Sequence, residues 1–165
     1  MSGDMRRARI AVAVGIMMAL GAPATAVANV PPESAALIAK VNEIRRSSGL
    51  PTLSVSDELT GSSRSYARYM LKHDYFGHLA SIRAGGNFLS VGETLSWHSG
   101  WKNRVRSTVS RWMGSPTHKA LLMSPTFRFI GAGRARGKMG SRRATAWVAQ
   151  LGARPAEPLR LPLGG

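Results

Sequence analysis

The stretch "FRFIGAGRARGKMGSRRATAWVAQLGA", Phe127 to Ala153, decides the fold class. "FRFIGAGRAR" and "ATAWVAQLGA" have strand composition, and the Gly- and Arg-rich "GKMGSRR" between them supplies a turn. Phe127 and Phe129, then Trp147, Ala149 and Leu151, alternate with positions expected to face outward, which is the period of a half-buried hairpin. Everything upstream has helical spacing or none. Helices first and an antiparallel hairpin last place the chain in the α+β class, with helices packed on a small sheet.

Working back from the hairpin, "GSPTHKALLM" (Gly114–Met123) reads as a short helix. Ser115 is the expected N-cap, and Pro116 suits the first helical position because its missing N–H would be unpaired there anyway. His118 then falls at the third helical position, with Leu121 and Leu122 on nearly the same face. "WKNRVRSTVSRWMG" precedes it, with Val105, Val109 and Trp112 spaced i, i+4, i+7. Tyr75 to Gly100 has many glycines and no period, and is expected to be loop. Ser56 offers an N-cap for "DELTGSSRSYARYMLKHD", in which Leu59, Tyr66, Tyr69, Met70 and His73 can share a face. "LPTLSVS" is a short extended connector. "ESAALIAKVNEIRRSSG" is an amphipathic helix through Leu37, Ile38, Val41 and Ile44, stopped at Gly49.

Residues 1–28 stand apart. Arg6, Arg7 and Arg9 precede the apolar run Ile10–Leu20, and Ala26-Val27-Ala28 has the A-x-A form of a cleavage site. The segment reads as a secretory signal peptide, with an uncleaved anchor as the alternative; the run falls short of the ~20 residues a spanning helix needs. Export places the mature protein outside the cell, with attachment to the envelope as a further expectation. The remaining chain suffices for one domain, at 33–152, followed by the Pro-rich tail 153–165. It has no cysteine, which excludes disulfides, thiolate zinc sites and cysteine nucleophiles.

Of 23 basic and eight acidic residues, three and one fall in the leader, leaving 20 against seven, a charge of +13. Such a charge favours anionic wall polymers, anionic lipid headgroups or nucleic acid. The basic residues are spread along the chain, so a solvated basic surface is the first reading and a dedicated polyanion groove the second.

Three polar residues stand out as candidates for chemistry: His78, Glu93 and His118. Glu93, between Gly92 and Thr94 and flanked by Val91 and Leu95, looks partly buried, and a buried carboxylate needs a partner. A helix N-terminus disfavours the imidazolium form of His118, and neutral imidazole is the form that binds metal. Two histidines and a carboxylate match a catalytic zinc ligand set completed by water. The same trio could work without metal, as a histidine base oriented by Glu93, or it could be a hydrogen-bonded structural cluster. His73 reads as an ordinary polar residue at a helix end, and His98 as an exposed polar residue of a Gly/Ser loop first and part of a pocket wall second. No G-x-S-x-G elbow, no G-x-x-x-x-G-K-[ST] phosphate loop and no nucleic-acid module is present, so no organic cofactor and no specific nucleic acid is expected.

The pieces "ALIAKVNEIRRSSGLPTLSVSDEL", "ARYMLKHDYFGH", "VGETLSW", "RWMGSPTHKALLMSPTFRFIGAG" and "AWVAQLGA" occur in an order that resembles a bacterial secreted CAP domain. This is the superfamily of cysteine-rich secretory proteins, antigen 5 and pathogenesis-related 1, also called the SCP domain. The resemblance covers Glu33 to Gly152. It implies an α–β–α sandwich around a small antiparallel sheet. It also implies a cleft in which His78, His118 and Glu93 could hold a divalent metal, zinc first.

The chain departs from the family pattern at several points. Thr94 stands where G-E-N is usual, and His118–Met123 replaces H-R-A-N-I-L. Ala80–Gly86 replaces an S-P-D-G loop, and Val105–Met113 lacks the second acid of some members. The implied function is a secreted, non-catalytic binding module, with a small apolar or lipid ligand among its partners. The alternative is a metal-assisted hydrolase using the same cleft. Fold-level likeness cannot choose between the two.

Overall fold

The structure, a computed structural model, describes residues 30–102 and 104–155. The segment 1–28 read as a signal peptide, and most of the Pro-rich tail 153–165, lie outside the described residues. The elements are α1 (Pro32–Ser47), β1 (Ser54–Val55), α2 (Asp57–Lys72), β2 (Ser90–Ser99), α3 (Val105–Met113), α4 (Pro116–Leu122), β3 (Phe129–Met139) and β4 (Arg142–Ala153). They form the expected α–β–α sandwich. The sheet order is β1-β3-β4-β2; the three long strands are antiparallel and the two-residue β1 joins β3 in parallel.

The hairpin is where expected but longer and tighter. β3 and β4 pair out to Met139 and Arg142, so the turn shrinks to Gly140 and Ser141, with Gly140 at φ +59°. β4 is also not half-exposed. Trp147, Ala149 and Leu151 face α1, α3 and α4 in one core, while Ala146 and Val148 face α2 in another. With helices on both sides, the outward positions of the expected alternation are buried as well.

The same covering explains why β2 does not read as a strand. Glu93, Thr94, Ser96 and His98 are all buried, and polar residues on covered faces erase the apolar period. β2 is an edge strand, and α3 shields its outer rim. Trp112 Nε1 donates to the Leu95 carbonyl at 2.8 Å and Arg111 Nη1 to the Trp97 carbonyl at 3.1 Å, satisfying groups that an open edge would present to other chains.

α2 lies directly on β3. A Cβ at Gly131 would stand 2.1 Å from backbone atoms of Leu59 and Thr60, and one at Gly133 2.1 Å from the Arg64 nitrogen. Leu59, Tyr66 and Met70 of α2 are buried as expected, but Tyr69 and His73 turn outward, with their rings 4.3 Å apart. On the other layer, Arg45 of α1 is fully buried without an acidic partner. Its Nη1 donates to the carbonyls of Leu122 (2.7 Å) and Ser124 (3.0 Å), and its Nε to that of Pro51 (2.9 Å). One guanidinium thus caps the end of α4 and ties it to α1. Ser115, the expected N-cap of α4, makes no side-chain capping bond. Among the described residues no helix is long and apolar enough to cross a membrane.

Candidate functional site

Glu93 reaches the site from β2, on the face turned to α2. Its neighbour Gly92 faces the other way and makes room for α4: a Cβ there would stand 3.0 Å from Leu121 Cδ2 and 3.1 Å from Phe127 Cζ. The missing side chain lets α4, which carries His118, settle against the sheet edge one residue from Glu93.

His78 comes from the segment between α2 and β2. Two tyrosines fix that segment. Tyr66 donates its hydroxyl to the Gly77 carbonyl, and Tyr75 donates to the His78 carbonyl at 2.8 Å. Burial first, and then the charge of Glu93, push the Tyr66 phenol up to about 12, so it remains a donor.

Glu93 is 4% exposed and both its oxygens are occupied. His78 Nδ1 lies 2.9 Å from Oε1, and Gln150 Nε2 donates to Oε2 at 2.9 Å. Gln150 is the cross-strand partner of Glu93 on β4, and its own oxygen accepts from Ser62 Oγ at 2.6 Å. A carboxylate only accepts, so His78 Nδ1 is the donor of its pair. In the neutral ring this leaves the Nε2 lone pair free, on a side chain that is 49% exposed.

His118 is half-buried. Burial first, and then the nearby His78 ring, hold its pKa below the ordinary 6.5. The direction is the one the sequence gives; the causes are burial and a neighbouring imidazole rather than the start of α4.

Of the trio expected from sequence, the structure joins His78 to Glu93 by a hydrogen bond, while His118 stands near enough to His78 to feel its charge and makes no side-chain hydrogen bond to either. Among the described residues no three His, Asp or Glu side chains converge to share a metal ion. Glu93 has two other partners. Glu93 lies behind His78 and fixes its ring through Nδ1.

Sequence reasoning missed Ser62 and Gln150. Gln150 had a signal, being the one amide in the strand "ATAWVAQLGA", whose only other polar side chain is Thr145. A cavity of about 420 Å3 opens beside this relay, lined by Ser62, Tyr66, Tyr69, Leu79 and Arg83 among others.

His73 caps the end of α2 and is exposed, as read from sequence. His98 is not an exposed loop residue. It is 6% exposed on β2, with Nε2 2.8 Å from Thr108 Oγ1 and 3.4 Å from Ser96 Oγ.

Comparison with known proteins gives one family and one fold. The family described as the cysteine-rich secretory protein family, CAP, matches residues 38–151. Among solved structures, an outer surface protein from Borrelia burgdorferi superposes with a TM-score of 0.60 at 22% identity, covering 73% of this chain and 91% of that one. An extracellular protein containing an SCP domain from Bacillus anthracis gives 0.60 at 15% identity, with 74% of this chain covered but only 40% of the other. Venom allergen-like protein 4 from Schistosoma mansoni gives 0.58 at 14% identity, covering 78% and 96%. At these identities the likeness is one of fold. No curated protein matches the chain by sequence.

Proposed function

The chain belongs to the cysteine-rich secretory protein family, CAP, and from that premise we propose that it is a secreted, non-catalytic binding module. Its ligand cleft is the edge of β2, where His78 and His118 present imidazole nitrogens to a divalent metal or a small ligand. The observation that supports this reading is the burial of Glu93 behind His78. Its two oxygens accept from His78 and Gln150, and the side chain is almost wholly buried, so the carboxylate is placed to orient a ring rather than to meet a substrate from solvent. The hydroxyl nearest the relay, Ser62 Oγ, donates to Gln150 rather than to a histidine, which leaves it without an adjacent base. Such a site suits holding over turning over.

Secretion rests on the leader sequence and accords with the outer surface protein and the extracellular protein among the structural neighbours. The mature charge of +13 makes anionic wall polymer or lipid headgroups the expected envelope partners.

The test is zinc binding by calorimetry to the chain lacking residues 1–28, beside His78→Ala and His118→Ala. The expected result is loss of binding in both variants. Unchanged binding in both, or none in the wild type, overturns the shared site. A parallel screen with ester, peptide, glycoside and phosphodiester substrates addresses the alternative. Turnover that vanishes in His118→Ala would replace the binding-module reading with a metal-assisted hydrolase.

A further inference from the structure

The charge of this protein is not evenly distributed. From Thr94 to Pro155 the chain contains twelve Lys or Arg residues and no Asp or Glu. The acids of the described residues all lie earlier, and most are engaged. Glu33 pairs with Arg134, Glu43 with Lys40, Glu58 with Arg154 and Glu93 with His78, while Asp74 accepts from the Gly140 amide. The half of the fold built from the end of β2, α3 and the β3–β4 hairpin therefore holds cations with no carboxylate of its own.

Within that half lies a cavity of about 380 Å3, lined by Trp97, His98, Ser99, Arg104 and Arg111. Arg104, the residue just before α3, and Arg111, near the end of α3, both line this cavity. Arg111 is held in place by the Trp97 carbonyl through Nη1, which leaves its other N–H groups uncommitted. The Arg104 side chain makes no hydrogen bond or ion pair among the described residues. His98 forms the floor. Its Nε2 faces Thr108 and Ser96, and nothing among the described residues takes its Nδ1. Burial, then Arg111 and Arg104, hold its pKa below 6.5, so at neutral pH the ring is uncharged and can present an Nδ1–H while Nε2 accepts from Thr108. Two guanidinium forks with no counter-charge, around a ring with a spare donor, form an acceptor for a compact oxyanion with several oxygens. Planar forks match phosphate oxygens bidentately.

We propose that the cavity between β2 and α3 is a phosphate-binding site, in which Arg104 and Arg111 clasp the anion and His98 donates an N–H to it. The site is independent of the His78–Glu93–His118 cleft. His98 lies five residues along β2 from Glu93, roughly 16 Å, and on the opposite face of the sheet. The phosphate could be free or carried on a lipid headgroup.

The experiment is a phosphate titration at pH 7 and constant ionic strength, followed through the histidine ring signals in NMR. The expected result is a saturable shift of the His98 signals with those of His78 and His118 unmoved. Affinity should fall about tenfold or more in Arg104→Gln, an exposed residue whose replacement leaves every hydrogen bond of the fold intact. Arg111→Gln should lose affinity as well. A non-saturating shift at His98, or equal affinity in wild type and Arg104→Gln, overturns the proposal.

Sedimentation with phosphatidylglycerol vesicles separates the two sources. Vesicle binding that Arg104→Gln and competing inorganic phosphate both abolish assigns the headgroup. Vesicle binding indifferent to both, with saturable phosphate binding retained, assigns the free anion.

Discussion

Glu93 holds its place because two donors need it. A glutamine there would offer one acceptor oxygen and one NH2 group, and the NH2 would confront either His78 Nδ1–H or the Gln150 amide. Glu93→Gln should therefore cost about 1–3 kcal/mol, the penalty of an unsatisfied buried donor, read as a lower urea midpoint. It should also change the His78 ring signals in NMR; unchanged His78 signals would mean that the pair does not form in solution. Arg45 makes the same kind of argument in the other core layer. Arg45→Ala strands the carbonyls of Leu122 and Ser124, and should destabilise by about 3 kcal/mol or more. Arg45→Lys should not rescue it, because a single ammonium cannot reach three carbonyls arranged around a planar fork. Neither partnership was legible from the chain. Glu93 could be singled out by its apolar flanks, but Gln150 lies 57 positions away and Leu122 lies 77 positions from Arg45.

The elements meet closely at glycines. Gly131 brings α2 onto β3 with no space for a methyl group, the nearest atoms being backbone 2.1 Å away. Gly131→Ala should thus destabilise at or above the ~1–3 kcal/mol typical of overpacking, and the loss should appear as early hydrogen exchange in α2 and β3. Gly92 is a gentler case, since side-chain atoms stand 3.0 and 3.1 Å from the added carbon. Gly92→Ala should leave the protein folded but push α4 outward, weakening any ligand shared by His78 and His118; full affinity in this variant would argue against the role of Gly92 in docking α4. The helices were readable because amphipathic spacing needs only one chain segment. β2 was not, because its residues are buried on two faces by elements from elsewhere in the chain.

At the scale of the whole molecule, acid should act through two histidines. Burial, with Arg111 and Arg104 for His98 and with His78 for His118, lowers both pKa values from 6.5. A ring whose pKa is lower folded than unfolded takes its proton first in the unfolded chain. Stability should hold steady above 6.5 as far as these two rings are concerned, and fall as the pH drops through that value toward the folded pKa values. Urea midpoints between about pH 7 and pH 5 should decline, and less steeply in His98→Gln, which keeps a polar group opposite Thr108. An identical slope in that variant would remove His98 from the account. The proposed attachment to anionic surfaces, through the +13 charge of residues 29–165, should weaken as salt rises, read by co-sedimentation with anionic vesicles.

By itself the sequence determined the fold class, the four helices, the hairpin and the family, and it marked His78, Glu93 and His118. Those features depend on local spacing, end signals and short motifs, all written within a few residues of one another. Only the tertiary structure decided that both faces of the sheet are covered, that Glu93 spends its oxygens on His78 and Gln150, and that His98 sits between two uncompensated arginines. Each of these joins residues from separate elements, and the low dielectric that strengthens such contacts, and makes a missing partner costly, arises only once the helix layers close over the sheet.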